Sequence, residues 1–298
     1  MTESNEICDA EIDLKQLGLR RPKRIILLSL WLIILGFAIV AQDTPSEASS
    51  LAAVLGGVLP IILAAPHGGR QPVPGVLARR GVGVARFSTK RDHNTDDLAE
   101  KIAGKLESVL GSRPFLVVAR FERKYIDANR PDEDAYESSA AQPYYVAYHG
   151  AIEAACDRVR KEWGRGLLLD LHGQGAEVGA IFRGTYNGKS VTALTRRFGS
   201  QALDGRKSIL GHLNGKGYKI IPDLAGGERE LRYTGGYTTR IYGSHRGTGI
   251  DAIQLELGKT LRCQARLNQT AGDIAEAIAI FAEAYLPVEG GSDREQRI

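Results

Sequence analysis

The run from Leu167 to Gly175 constrains this chain more than any other stretch: three leucines, then Asp170, Leu171, His172 and Gly173. So short an apolar run, closed by an Asp-x-His and a glycine, predicts a buried strand that delivers polar side chains at its carboxyl end. Side chains alternate along a strand, so Asp170 and His172 share a face. Open α/β sheets build their sites in the crevice outside the strand carboxyl ends. A core histidine bonded to its own neighbour is the plain alternative. What decides between them is whether the rest of the chain supplies partners for His172.

At 298 residues and 43% hydrophobic, the chain can bury one large core. Its boundaries read as follows: a basic-ended, cytoplasmic N-terminus at 1–24, a signal peptide h-region or signal anchor at 25–41, a linker at 42–56, one α/β domain at 57–288, and a disordered tail at 289–298. Residues 25–41 are seventeen uncharged residues behind Arg20, Arg21, Lys23 and Arg24. That length lies between a signal h-region and the shortest spanning helix, and basic residues stay inside. The expectation is therefore a domain exported from the cytoplasm, membrane-anchored if the segment is kept and periplasmic or secreted if it is cleaved. Residues 1–41 carry five basic and five acidic side chains, so the net +4 belongs to the remainder. With no basic stripe and no interleaved aromatics, nucleic acid is not an expected partner, and anionic small molecules suit the mild excess better. Cys156 and Cys263 follow the apolar segment, and no spacing demands that they pair.

Along the domain, residues 59–65 predict a second buried strand, ending at Pro66-His67-Gly68-Gly69. Two strand-end histidines beside glycines that let the backbone turn are what a metal site needs. Gln71 to Arg91 predicts an irregular loop. Asp92 comes next, just upstream of a helix with Asn94 or Thr95 as its cap and Asp96 and Asp97 in its first turn. A strand over 115–121 runs into the polar cluster Arg123-Lys124-Tyr125-Ile126-Asp127-Ala128-Asn129-Arg130-Pro131, a good anion-binding loop. His149 lies on the apolar stripe of a following helix and reads as a core histidine. Further strands are predicted at 180–185, 218–221 and 251–257. In the last of these, Gln254 and Glu256 share the face opposite Ile253, Leu255 and Leu257. A glutamate so placed is costly to bury unless paired or used. Arg240 closes a glycine loop from which it can reach a substrate. A final helix is predicted to open at Thr270-x-x-Asp273.

Two imidazoles, one carboxylate and an open position make a catalytic zinc set. His67, Asp92 and His172 fit it for one Zn2+, with Asp96 or His93 as alternatives to Asp92. Glu256 is the natural general base toward a water whose pKa the metal lowers. Asp170 either orients an imidazole from behind or ligates the metal directly. Asn129, Arg130 and Arg240 are the candidates for holding a substrate carboxylate, and Arg130 also for polarising the scissile carbonyl.

Taken together, Pro66-His67-Gly68-Gly69, Asp92-x-x-Thr95, Arg123-x-x-x-Asp127-x-Asn129-Arg130, Tyr148-His149, Asp170-x-His172-Gly173 and Gln254-x-Glu256 resemble the N-formylglutamate amidohydrolase family. The resemblance spans about Leu59 to Gly258. It implies a three-layer α/β/α fold with a mixed central sheet, of the zinc-exopeptidase kind shared with metallocarboxypeptidases. It also implies a metal held by a His, a carboxylate and a His, with a late glutamate as base. His67, Asp92, His172 and Glu256 take those places, and Asn129-Arg130 looks like the pair that binds a terminal carboxylate. One departure is that metallocarboxypeptidases have His-x-x-Glu at the first ligand pair, whereas Arg70 stands here. The other is the apolar segment at 25–41, which points away from formylglutamate itself and toward an amide in a peptide, a γ-glutamyl polymer or a cell-wall fragment bearing a carboxylate. The competing expectation is a carboxylate-binding relative without turnover.

Overall fold

The computed structural model describes residues 47–287. Seven strands form one mixed sheet in the order β1-β3-β2-β4-β7-β5-β6. They are β1 (Ala52–Leu55), β2 (Ile61–Ala65), β3 (Phe115–Ala119), β4 (Gly166–Gln174), β5 (Ala180–Gly184), β6 (Lys219–Ile221) and β7 (Ile250–Gly258). β3, β2, β4 and β7 are mutually parallel, β1 is antiparallel to β3, and β5 is antiparallel to β7 with β6 parallel to β5. Four helices matter for the site: α1 (Thr95–Leu110), α2 (Gln142–Trp163), α3 (Tyr237–Tyr242) and α4 (Leu267–Tyr285).

Every residue of β2 and all but one of β4 are buried, as expected of strands covered on both faces. Their side chains divide by parity. Ile61, Leu63, Leu167, Leu169, Leu171, Ile253, Leu255 and Leu257 join the stripes of α1 and α4 in one core. Ile62, Ala64, Leu168 and Ala252 pack with Tyr148 and Ile152 of α2 on the other face. This is the expected three-layer α/β/α arrangement. Asp170, His172, Gln254 and Glu256 follow the second parity and emerge on the α2 side of the sheet, at its carboxyl edge. Gly111 and Gly164, both left-handed at φ 66° and 72°, end α1 and α2.

The structure departs from the sequence reading at several element ends. The stretch 42–56, read as linker, contains a helical turn (Glu47–Ser50) and β1, which pairs with β3 from Ala52↔Ala119 to Leu55↔Leu116. Four residues are too few for alternation to show. Neither Asn94 nor Thr95 caps α1 with its side chain. Asn94 is left-handed (φ 65°) and its amide donates to the Arg262 carbonyl, while the Thr95 hydroxyl donates to the Asp92 carbonyl and tightens the turn behind Asp92. α4 begins at Leu267, so Thr270 lies inside it. Cys156 is buried, Cys263 exposed, and both are unbridged. The segments 1–24, 25–41 and 289–298 lie outside the described residues. Among the described residues no helix is long and apolar enough to cross a membrane.

Asp251, at the start of β7, is buried and accepts a hydrogen bond from the Leu194 amide at 3.1 Å. Burial pushes its carboxyl up to about 6, against the opposing pull of Ser244 and that amide. The ordinary value is about 3.9. Between those two pH values the folded chain holds the proton and the unfolded chain does not. This group therefore makes stability fall as pH rises from about 4 to 6, with no further change above. Asp251→Asn keeps the acceptor and removes the titration. Its unfolding free energy, from denaturant titration, is expected to exceed that of the wild type by a margin that widens from pH 4 to pH 7, reaching about 3 kcal/mol at most. A margin that stays flat across that range would refute the assignment.

Candidate active site

The carboxyl ends of β2 and β4 carry the two histidines, and the loop before α1 brings Asp92 between them. The Asp92 amide donates to the His67 carbonyl at 3.0 Å, which ties the loop end to the strand end. Asp92 Oδ2 then lies 3.4 Å from Nδ1 of His67 and 3.4 Å from Nδ1 of His172. The rings stand edge to face with centroids 4.8 Å apart. One donor atom from each of the three residues fits within a set no more than 4.8 Å across. All three side chains are buried, and His67 Nδ1 has no hydrogen-bond partner.

Each imidazole is held from behind by a second carboxylate. His67 Nε2 is 2.6 Å from Asp127 Oδ1, and His172 Nε2 is 2.9 Å from Asp170 Oδ2. With Nε2 donating, Nδ1 of each ring is left facing Asp92, where it carries a proton or, once that proton is lost, offers its lone pair to a cation, as orienting carboxylates arrange for ligating histidines. This geometry settles where Asp170 sits: on the edge of His172 away from Asp92. Asp127 is the counterpart that sequence reading left without a role. Its signal was present, as a carboxylate between Arg123 and Asn129 in a loop too polar for a core. It also accepts from the Arg123 guanidinium at 2.9 and 3.0 Å and from the Asn129 amide.

The electrostatics follow from this crowding. Burial alone would raise the Asp127 carboxyl, but His67, Arg123 and Arg79 outweigh it and hold it well below the usual range. Asp92 is likewise held far below that range, because burial is outweighed by the close approach and charge of His172 and His67. His172 goes the other way. Burial would lower it, yet Asp170, Asp92 and Glu256 raise it well above an ordinary histidine. A site with this many carboxylates wants positive charge, supplied here by the imidazolium and replaceable by a cation.

Glu256 lies on β7 directly beside His172 of β4. Burial pushes its carboxyl up to about 7; His172 lowers it and Asp92 raises it further. Gln254 Nε2 donates to Glu256 Oε1 at 2.9 Å, and Gln254 Oε1 accepts from the Gly236 amide at 2.6 Å.

The other predicted residues are distributed as follows. Arg130 lines the cleft, with Nη2 donating to the Arg86 carbonyl at 2.8 Å. Arg240, on α3, lines the same cleft with its guanidinium 4.8 Å over the Tyr186 ring. Asn129 is engaged with the protein itself: its Oδ1 accepts from the Thr238 amide and hydroxyl, and its Nδ2 faces Gln254 Oε1 and His172 Nε2. Asp96 and His93 are outside the triad; Asp96 pairs with Arg70 at 3.6 Å and His93 is exposed beside Arg91. His149 is the satisfied core histidine expected, bonded to the Ala128 carbonyl and Tyr242 hydroxyl, and burial lowers its pKa to about 4. The glycines after His67 serve packing: a Cβ on Gly68 would overlap the start of α1 at Asp96, and one on Gly69 the backbone of Arg120 and Phe121.

The family model described as N-formylglutamate amidohydrolase matches residues 137–262. An N-formylglutamate deformylase of Pseudomonas putida is 27% identical over 286 residues, covering 81% of this chain and 97% of that protein. A crystal structure of N-formylglutamate amidohydrolase from Ralstonia eutropha JMP134 shares the fold at a TM-score of 0.54 and 17% identity, covering 79% of this chain and 98% of the other. A protein of Agrobacterium tumefaciens shares it at the same TM-score and 14% identity, over 80% and 98%. In its motifs, its fold and these matches, the chain is similar to the N-formylglutamate amidohydrolase family, and the likeness is to a hydrolase of C–N bonds.

Proposed function

We propose that this protein is a zinc-dependent amidohydrolase that cleaves an N-acyl amide bearing a carboxylate, with Glu256 as general base. The observation that carries the reading is the buried, unpartnered Nδ1 of His67, 3.4 Å from an Asp92 Oδ2 that is itself 3.4 Å from His172 Nδ1. Two imidazole nitrogens and one carboxylate oxygen are a donor set that suits a catalytic zinc with an open position. When bound there, the ion supplies Lewis acidity to the reacting carbonyl and to water.

The chain's own residues do the rest. Glu256 takes a proton from the attacking water and passes it to the leaving nitrogen, while Gln254 holds one carboxylate oxygen and leaves the other for the proton. Asp127 and Asp170 keep both imidazoles in the tautomer that presents Nδ1. Arg130, steadied on the Arg86 carbonyl, and Arg240, stacked on Tyr186, offer guanidinium forks for the substrate carboxylate. Asn129 supports this wall through Thr238 and Gln254. Export through residues 25–41 is part of the proposal, supported by their uncharged length behind a basic cluster. The catalytic domain would then act outside the cytoplasm, tethered or released, with no nucleic-acid partner.

The full chain is expected to bind about one equivalent of zinc, measured by metal analysis after dialysis, and to lose it in His67→Ala. Full amide hydrolysis by zinc-free protein would refute the reading. Glu256→Gln is expected to retain the metal and lose about 10³-fold in kcat on formyl-amino acids. A loss of under tenfold would remove Glu256 as the base.

Asp127→Asn keeps the size of the side chain and weakens the hold on His67. A fall of about 10- to 100-fold in zinc affinity is expected by chelator competition, with the fold intact by circular dichroism. Unchanged affinity would show that Asp127 does not support the ligand.

A further inference from the structure

The reading above accounts for one carboxylate of the substrate, and the cleft holds more positive charge than one carboxylate needs. It encloses about 1140 Å3, and its lining includes nine arginines and lysines against two carboxylates, Asp92 and Glu256. Four of the nine are taken. Arg123 is bound to Asp127, Arg91 to His93, Arg262 to backbone carbonyls, and Arg130 to the Arg86 carbonyl. With Arg240 and the free edge of Arg130 assigned to the first carboxylate, Arg86, Lys90, Arg232 and Lys259 remain. All four are exposed, and among the described residues none has a carboxylate within 4 Å.

These four residues come from separate parts of the chain: Arg86 and Lys90 from the loop between β2 and α1, Arg232 from the segment before α3, and Lys259 from the turn after β7. Their convergence on one cleft is a property of the fold, since no sequence run contains them. Unpaired like charges repel one another, and a low-dielectric cleft lined by one sign focuses its field on an incoming anion. A ligand with one or two negative charges would leave most of them unmatched.

We propose that the cleft is built for an amide substrate carrying three or more carboxylates, an acidic oligopeptide whose repeating charges lie along Arg86, Lys90, Arg232 and Lys259. The proposal rests on the amidohydrolase reading in one respect: an amide-linked polycarboxylate is the polyanion that offers both the scissile bond and the charges. The surplus cations act as specificity residues beyond the reacting centre.

The test compares N-formylglutamate with N-formyl-tetraglutamate, in α-linked and γ-linked forms, on the full chain. Calorimetry on Glu256→Gln protein reads binding without turnover. The tetramer of at least one linkage is expected to bind about 10-fold tighter than the monomer at low salt, from two or more exposed ion pairs, and to lose most of that advantage at 0.5 M salt. The double variant Arg232→Gln/Lys259→Gln is expected to bring the advantage down to about twofold while leaving the monomer's affinity unchanged. Equal affinities for monomer and both tetramers, or an advantage that survives in the double variant, would overturn the proposal. So would an oligothymidylate of equal charge that binds as tightly as the better tetramer. Hydrolysis by the wild type is scored separately. If no ligand is cleaved, the amidohydrolase reading falls, and the binding comparison still decides the preference for polycarboxylates.

Discussion

The site depends first on the parallel pairing of β4 with β7. Its register sets Asp170 beside Gln254 and His172 beside Glu256. That register is fixed from the opposite face, where Leu169, Leu171, Leu255 and Leu257 are buried under α1 and α4. A slip of one residue would carry these four leucines to the polar edge and the four polar side chains into an apolar core. The hydrophobic face therefore determines how closely the Glu256 carboxyl and the His172 imidazole approach. The packing of residues that touch no substrate decides the geometry of those that would.

Around that pairing, the buried charges form a nested arrangement. Asp92, Asp127, Asp170 and Glu256 are all buried, and an isolated buried carboxylate would cost several kcal/mol. Each is matched by a specific partner. Asp127 has His67 and Arg123, Asp170 has His172, and Asp92 accepts the Gly173 amide at 3.0 Å while facing both rings. Glu256 has the weakest compensation, a single neutral amide donor, and it is the carboxyl that burial leaves near 7. A group that changes protonation near neutrality suits proton transfer, and carboxylates bonded to an imidazole suit fixed support. The division of roles follows from the kind of donor each carboxylate faces: a basic ring or guanidinium at Asp127 and Asp170, and a neutral amide at Glu256.

Much of this was legible in the sequence because it is written in short-range periodicity. Asp170-x-His172 and Gln254-x-Glu256 announce two polar side chains on one face of an apolar strand, and the same reasoning finds His67. The three-layer sheet follows from apolar runs alternating with helical stripes. What was hidden depends on contacts between distant segments. Asp127 is 60 residues from His67, and nothing in its loop says which ring it supports. Asn129 sits in a motif suited to binding anions, yet Thr238 and Gln254, more than 100 residues away, engage it. The convergence of Lys90, Arg232 and Lys259 is invisible for the same reason. β1 was missed because four residues carry too little pattern to separate an edge strand from a linker.

The wall that carries Arg232 and Arg240 is joined to Glu256 rather than hung beside it. At one end Glu230 is buried and accepts from the amides of Thr185 and Asn187 at 2.9 Å and from Arg183 at 3.0 Å. At the other end the Gly236 amide donates to Gln254 Oε1, and the same Gln254 side chain donates to Glu256. Gly236 has no room for a side chain, because a Cβ there would overlap the Asn129 amide. The segment from Glu230 to Gly236 is thus held at both ends by buried polar contacts, one of them shared with Glu256. A displacement of this wall would break the hydrogen bond that orients the base. On the proposed roles, substrate charge recognised along the wall and proton transfer at Glu256 would be coupled through one amide side chain, Gln254.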